Sequence, residues 1–301
     1  MAIVANAEHP ETIADIYKRK GYVVVEAVFS ADEVARMRAA LDELIAAAAG
    51  ATGHTAMLDL EPSHTPDAPR VRRIKEPVKH HPVFAEMARH PTLIAALQAL
   101  LGPDLRLHGS KINLKAADYG APVEWHQDWA FYPHTNDDVL AVGVMLDDMT
   151  PDNGPLLVIP GSHTGPTYDH HQDGRFVGAV DVDATDIDTA TAEPIYGKAG
   201  DCSLHHVRAL HASAMNTSAA DRRLLLFQVS AADAWDLRGI GSADAWDGYV
   251  ETIIAGRATN QPRLAAAPVR LPYPGPIREG SIYESQTLLK NKVFGAGGDS
   301  D

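Results

Sequence analysis

Apolar residues recur at helical spacing early in the chain and at strand spacing later. In "FSADEVARMRAALDELIAAAAG", Val34, Met37, Leu41, Leu44 and Ile45 fall on one helical face. Ser30 precedes them with Glu33 three residues on, a capping-box signature, and Gly50 stops the run. A second helix is predicted over "HPTLIAALQALLG", ended by Gly102 and Pro103. Ahead of the first helix, "GYVVVEAVF" (Gly21 to Phe29) is short and β-branched and reads as a strand. Residues 51–70 are polar and proline-bearing and read as a loop.

From about residue 104 the period changes. "LRLHGSKINLK", "VLAVGVMLDDM", "GPLLVIPGSH", "DCSLHHV" and "RRLLLFQVS" are short β-rich runs separated by Gly, Pro, Asp and Asn turns. That density predicts a mostly β sandwich or barrel with flanking α-helices. No composition break marks a linker, so residues 1–301 are expected to form a single domain. Its helical N-terminal part (about 11–103) would buttress a β core (about 104–237), with a helical and extended C-terminal extension over 238–301. Within that extension "GSADAWDGYVETIIAGR" predicts another capped helix. The proline-rich "APVRLPYPGPIREG" either packs back across the barrel mouth or runs on as a tail, and the terminal "FGAGGDSD" is expected to fray.

Composition narrows the function classes. The 45% hydrophobic and 22% charged fractions are those of an ordinary globular protein. No apolar run reaches the roughly 18 residues a membrane span needs, and the first residues lack a secretory signal pattern. A lone cysteine, Cys202, excludes an internal disulfide framework; at the start of a strand it is expected to be inert. A cytoplasmic protein is expected. The net charge of −14 argues against nucleic acid and anionic membranes as partners, yet leaves room for a small anion held by a few local cations.

The chemistry concentrates in "VEWHQDWAFYP", Val123 to Pro133. On an extended backbone His126 and Asp128 point to one face while Gln127 points away. A third ligand would complete the 2-His-1-carboxylate set of non-haem Fe(II), which leaves adjacent positions open. His205, His206 and His211 are the candidates; the first two are neighbours, so only one of them can face inward. His211 is followed by the turn "NTSAAD" and then by Arg222, which a hairpin would set beside it. A guanidinium there suits a dicarboxylate, and the spacing favours His211.

"WHQDWAFYP", "DNGPLLVIPGSH" and "HASAMNTSAADRR", in that order, resemble the phytanoyl-CoA dioxygenase family, loosely from about residue 15 to 237. The resemblance implies a double-stranded β-helix (jelly roll, cupin-like) and a dioxygenase that uses Fe(II), 2-oxoglutarate and O2. Such an enzyme hydroxylates a small molecule and releases succinate and CO2. It makes His126, Asp128 and His211 the iron ligands and gives Arg222, with Ser213, the distal carboxylate of 2-oxoglutarate. Gln127 corresponds to a position that often contacts the co-substrate. Lys111 and Asn113 are expected to face the same cavity. Related halogenases lack the carboxylate, so Asp128 favours hydroxylation.

Around this set the expectations are broader. Of the basic run "RVRRIKEP", Lys75 is the preferred contact for a substrate or co-substrate anion. Trp129, Tyr132, His134 and His108 are expected on the substrate side, with the aromatics excluding water. His170 and His171 read as solvent-facing or near the mouth, and His206 as a neighbour of the ligands. The substrate is expected to be a small polar or anionic metabolite. A jelly-roll metalloenzyme without 2-oxoglutarate would leave Arg222 unemployed, and a silent binding protein would have lost ligands that this chain retains.

Overall fold

Two capping boxes start the helical layer. Thr12 accepts the Asp15 N–H ahead of α1 (Ile13–Lys20), and Ser30 accepts the Glu33 N–H ahead of α2 (Ala31–Ala46). Between them β1 (Tyr22–Val25) is the strand expected there, shorter than its β-branched run. The stretch read as a loop holds β2 (Leu58–Leu60), an edge strand paired with β3 (Val71–Lys75). Three residues are too few for alternation to show in a sequence. Two short helices, α3 (Pro77–His80) and α4 (Pro82–Met87), lead to α5 (Pro91–Leu101), which ends at Gly102 with φ 91°. The computed structural model describes residues 11–117, 120–238, 245–276 and 281–294.

The β-rich part follows as β4 (Leu105–Lys115), β5 (Val123–His126), β6 (Val139–Met145) and β7 (Leu156–Val158). A small hairpin comes next, β8 (His171–Gln172) with β9 (Arg175–Phe176). Then come β10 (Glu193–Ile195), β11 (Cys202–His206), β12 (His211–Ser213) and β13 (Arg222–Ala231). The large antiparallel sheet has the order β1-β11-β6-β13-β4-β3-β2, and the facing sheet the order β10-β7-β12-β5. This is the jelly roll with flanking helices. The β core reaches beyond 104–237, because β1 to β3 of the N-terminal part complete its large sheet.

Period-two alternation decides what each face of the large sheet does. Leu225, Phe227 and Val229 of β13 and Leu140, Val142 and Val144 of β6 turn outward and pack with Met37, Leu41 and Leu97 of the helices. Leu224 and Leu226 turn inward, as do Arg222, Ser203 and His205. On β4 the phase changes: Gln228 pairs with Gly109 and Val229 with Leu107, so His108 is the extra residue of a β-bulge. After the bulge Lys111, Asn113 and Lys115 face inward. Cys202 is fully buried on the outward face, where burial pushes its thiol well up.

In the C-terminal extension α6 (Ala245–Glu251) is the expected helix, with its start outside the described residues, and it is followed by β14 (Ile253–Ala255) against β4. The proline-rich stretch packs back across the barrel. Trp129 Nε1 donates to Pro268 O (2.8 Å) and the Phe176 N–H to Pro274 O (2.9 Å). α7 (Ile282–Gln286) follows. The expected fraying beyond Phe294 falls on residues outside the described set. Among the described residues no helix is long and apolar enough to cross a membrane. Leu225→Ala is expected to cost about 3 kcal/mol by leaving a cavity between sheet and helices, read as a lowered midpoint in chemical denaturation.

Candidate metal and co-substrate site

Strand β5 ends at His126, and Gln127 stays extended (φ −117°) before a 3-10 turn that begins at Asp128. His126 and Asp128 therefore still point the same way although strand pairing has stopped. Across β5 and β12, His211 is the register partner of His126, and their rings lie 4.1 Å apart. The ligating atoms of His126, Asp128 and His211 are all within 4.8 Å of one another, and all three residues are buried. Each imidazole donates Nδ1–H to the carbonyl two residues back, Glu124 (2.8 Å) and Ala209 (2.9 Å), which leaves Nε2 as the free donor atom.

Burial pushes the His126 pKa down to about 4 and that of His211 well below its usual value, so both are neutral. Burial acts on Asp128 in the opposite sense, yet His205, with Nε2 3.7 Å away, and the nearby Lys111 hold its carboxyl well below the usual range. Two neutral imidazoles and a carboxylate on adjacent corners match the donor set of non-haem Fe(II). His205, not His206, is the neighbour that faces this centre; His206 lies on the other side against Tyr17 and His163. The alternation of β11 permits only one of the two inside.

Next to the three ligands is an enclosed cavity lined by Lys111, Asn113, Lys115, Ser213, Arg222 and Tyr283. Arg222 is 3% exposed; it donates to Gly154 O (3.0 Å), its Nε has no partner, and no described acid pairs with it. Burial pulls its pKa down to about 10. Lys115 is buried beside it, with Nζ near Ser213 O (3.3 Å), and burial plus repulsion from Arg222 hold its pKa well below the usual value. Asn113 Oδ1 is likewise buried without a partner. Arg222 and Lys115, neither paired with a described carboxylate, describe an anion site. Lys115 and Tyr283 were not expected from the sequence.

Residues 17–224 match the family model for phytanoyl-CoA dioxygenase. The chain belongs to the phytanoyl-CoA dioxygenase family. It is 38% identical over 282 residues to a probable alpha-ketoglutarate-dependent hypophosphite dioxygenase of Stutzerimonas stutzeri, covering 92% of this chain and 97% of that one. It is 35% identical over 169 residues to the ectoine dioxygenase of Sphingopyxis alaskensis, about half of each chain (52% and 53%). Among solved structures, EctD from S. alaskensis superposes with a TM-score of 0.63 at 29% identity, over 77% of this chain and 80% of that one. The epimerase SnoN, in complex with Fe3+ and alpha ketoglutarate, gives 0.61 at 26% identity, over 76% and 86%. This member of the family is an Fe(II)- and 2-oxoglutarate-dependent dioxygenase that hydroxylates a small molecule, releasing succinate and CO2.

For a phytanoyl-CoA dioxygenase family chain, several expected contacts are placed differently. Gln127 is fully buried and spent on backbone: its Nε2 donates to Pro166 O (3.0 Å) and Arg208 O (2.8 Å), and its Oε1 accepts the Tyr168 N–H (2.9 Å). It braces the motif and does not reach the cavity. Its own N–H is capped by Nε2 of His170 (2.8 Å), which is buried, not solvent-facing, while His171 sits on the β8–β9 hairpin against Asp169. Lys75 is outside the inner cavity, with Nζ on Thr55 O (2.6 Å) and Asp59 (3.1 Å). Trp129 is fully buried against Val139, Val207 and Ala234, behind the motif.

An outer cavity opens on the other side of Asp128, lined by Lys75, His108, Lys111, Phe131, Tyr132 and Arg238 among others. Tyr132 and His108 line this outer cavity, whereas His134 is buried behind them, edge-on to His108 at 4.7 Å. His108, His134 and Asp236 form a second His/Asp group, but Arg238 already neutralises the carboxylate. The returning proline-rich stretch contributes Pro272, Tyr273 and Pro276 to the wall.

Burial depresses several histidines in the fold: His126 and His134 to about 4, His108, His170 and His206 to about 3, and His163 and His211 in the same direction. An unfolded chain binds protons at these sites below about pH 6.5, whereas the folded chain does not until far lower pH. Their contribution is complete above about 6.5 and is lost as pH falls towards 4. The metal-free protein should therefore lose thermal stability steeply between pH 6.5 and 4, with uptake of several protons on unfolding, measured calorimetrically in buffers of different ionisation enthalpy.

Proposed function

We propose that His126, Asp128 and His211 hold the Fe(II), and that Arg222 anchors the distal carboxylate of 2-oxoglutarate with Ser213, Asn113 and Lys115 around it. The observation that carries this is the buried Arg222 without an acid partner, in a cavity whose other wall is the His/His/Asp set. Iron so held supplies the redox chemistry that couples decarboxylation of 2-oxoglutarate to hydroxylation of the substrate. The protein's share is placement. The Glu124 and Ala209 carbonyls aim the two imidazoles, His205 faces the carboxylate, and His170 and Gln127 keep the motif from shifting. Phe131, edge-on to His126 at 5.8 Å, and Tyr132 exclude water from the reacting side.

For the substrate, the outer cavity favours a small oxyanion. Arg73, Lys75, Lys111 and Arg238 line it against Glu76 and Asp128; Arg73 and Lys75 pair with Asp59 and Arg238 with Asp236, which leaves Lys111 as the cation without a described salt bridge beside Asp128. The S. stutzeri relative, matched along nearly its whole length, is named for hypophosphite. Hypophosphite is therefore the first oxyanion to test, with ectoine and L-proline as zwitterionic comparisons. Succinate release should rise above the substrate-free rate with the oxyanion; a rise with only the zwitterions would overturn the anionic reading.

The ligand assignment has its own test. In anaerobic titration with Fe(II) and 2-oxoglutarate the wild-type protein should develop a weak visible charge-transfer band. His211→Ala should abolish it. Arg222→Ala should shift its half-saturation at least about tenfold upward, the cost of a lost charge-assisted pair. A band that survives His211→Ala would remove that histidine from the metal.

A further inference from the structure

We infer that Tyr283 belongs to the co-substrate site: its hydroxyl binds the distal carboxylate held by Arg222, so that α7 completes the inner cavity from outside residues 17–224. The inference rests on the reading of Arg222 given above. Tyr283 is 7% exposed and lines the cavity with Arg222, Lys115 and Ser213. Its hydroxyl hydrogen-bonds no described residue, and the charges acting on it are Arg222, Arg72 and Arg73 against Glu61. A phenol O–H with cationic neighbours and no acceptor is the complement of a carboxylate.

The helix that carries it is fixed at several points. Ser281 and Glu284 form a capping box, and the Arg72 guanidinium lies 4.5 Å over the Tyr283 ring while pairing with Glu284. Gln286 Nε2 donates to Gly178 O (2.8 Å), and its Oε1 accepts the Glu124 N–H (2.9 Å). The Glu124 carbonyl is the group that orients His126. One short segment thus bonds to the strand that carries His126 and lines the cavity that Arg222 enters.

The test titrates Fe(II)-loaded protein anaerobically with 2-oxoglutarate, following the visible band in wild type, Tyr283→Phe and Arg222→Ala. It is repeated with 2-oxopentanoate, which keeps the keto acid and lacks the distal carboxylate. Tyr283→Phe should weaken 2-oxoglutarate roughly tenfold, leaving 2-oxopentanoate affinity and Tm unchanged. Equal weakening of both acids, or no weakening of 2-oxoglutarate, overturns the role of the hydroxyl. If Arg222→Ala binds 2-oxoglutarate as wild type does, the arginine reading fails and this inference fails with it.

Discussion

The antiparallel register that sets His211 opposite His126 is the contact on which the rest of the site depends. Neither strand is long: β5 has four residues and β12 three, and β12 also pairs with β7, which holds it from the other side. Because side chains alternate, a slip of either strand by one residue would turn its imidazole out of the cavity. The bracing is correspondingly dense. Gln127 bonds three backbone groups, His170 caps the Gln127 N–H, and two carbonyls fix the ring orientations. These bonds restrain the metal set before any metal arrives.

The second constraint is electrostatic. Leu224 and Leu226 show that the inward face of the large sheet can take apolar side chains, yet Arg222, Lys115 and Lys111 point into the same interior. A cation removed from water is costly unless something offsets it. Here carbonyl oxygens do so in part, from Gly154 for Arg222 and from Ser213 and Ala214 for Lys115. On the proposed reading these cations are what an incoming dianion would meet, and they share the interior with one carboxylate, Asp128.

Much of this could be read along the chain, where local rules apply. The Ser30–Glu33 box, the extent of β4 and the His126/Asp128 pair are short-range patterns, and each formed as expected. What escaped is set by long-range packing. His170 reads as a loop histidine until the fold brings it 2.8 Å from the Gln127 N–H. The bulge at His108 changes which residues of β4 face inward, and Gly109 beside it is the local signal for it in "LRLHGSKINLK". Gln127 falls at a position that in the family often contacts the co-substrate, but here its amide is spent on three backbone groups. Tyr283 lies some sixty residues beyond Arg222 in a stretch without periodicity, so only the folded chain shows it in the same cavity.

The returning proline-rich stretch has a consequence for how such an enzyme diversifies. Pro272, Tyr273 and Pro276 wall the outer cavity but supply no metal-set residue, and they lie downstream of the matched residues 17–224. Substitutions there could reshape what the cavity admits while the His/His/Asp register and the Arg222 anchor stay as they are. Selectivity and reactivity would then be heritable on separate stretches of one gene, so new substrates could be acquired without rebuilding the oxidising centre.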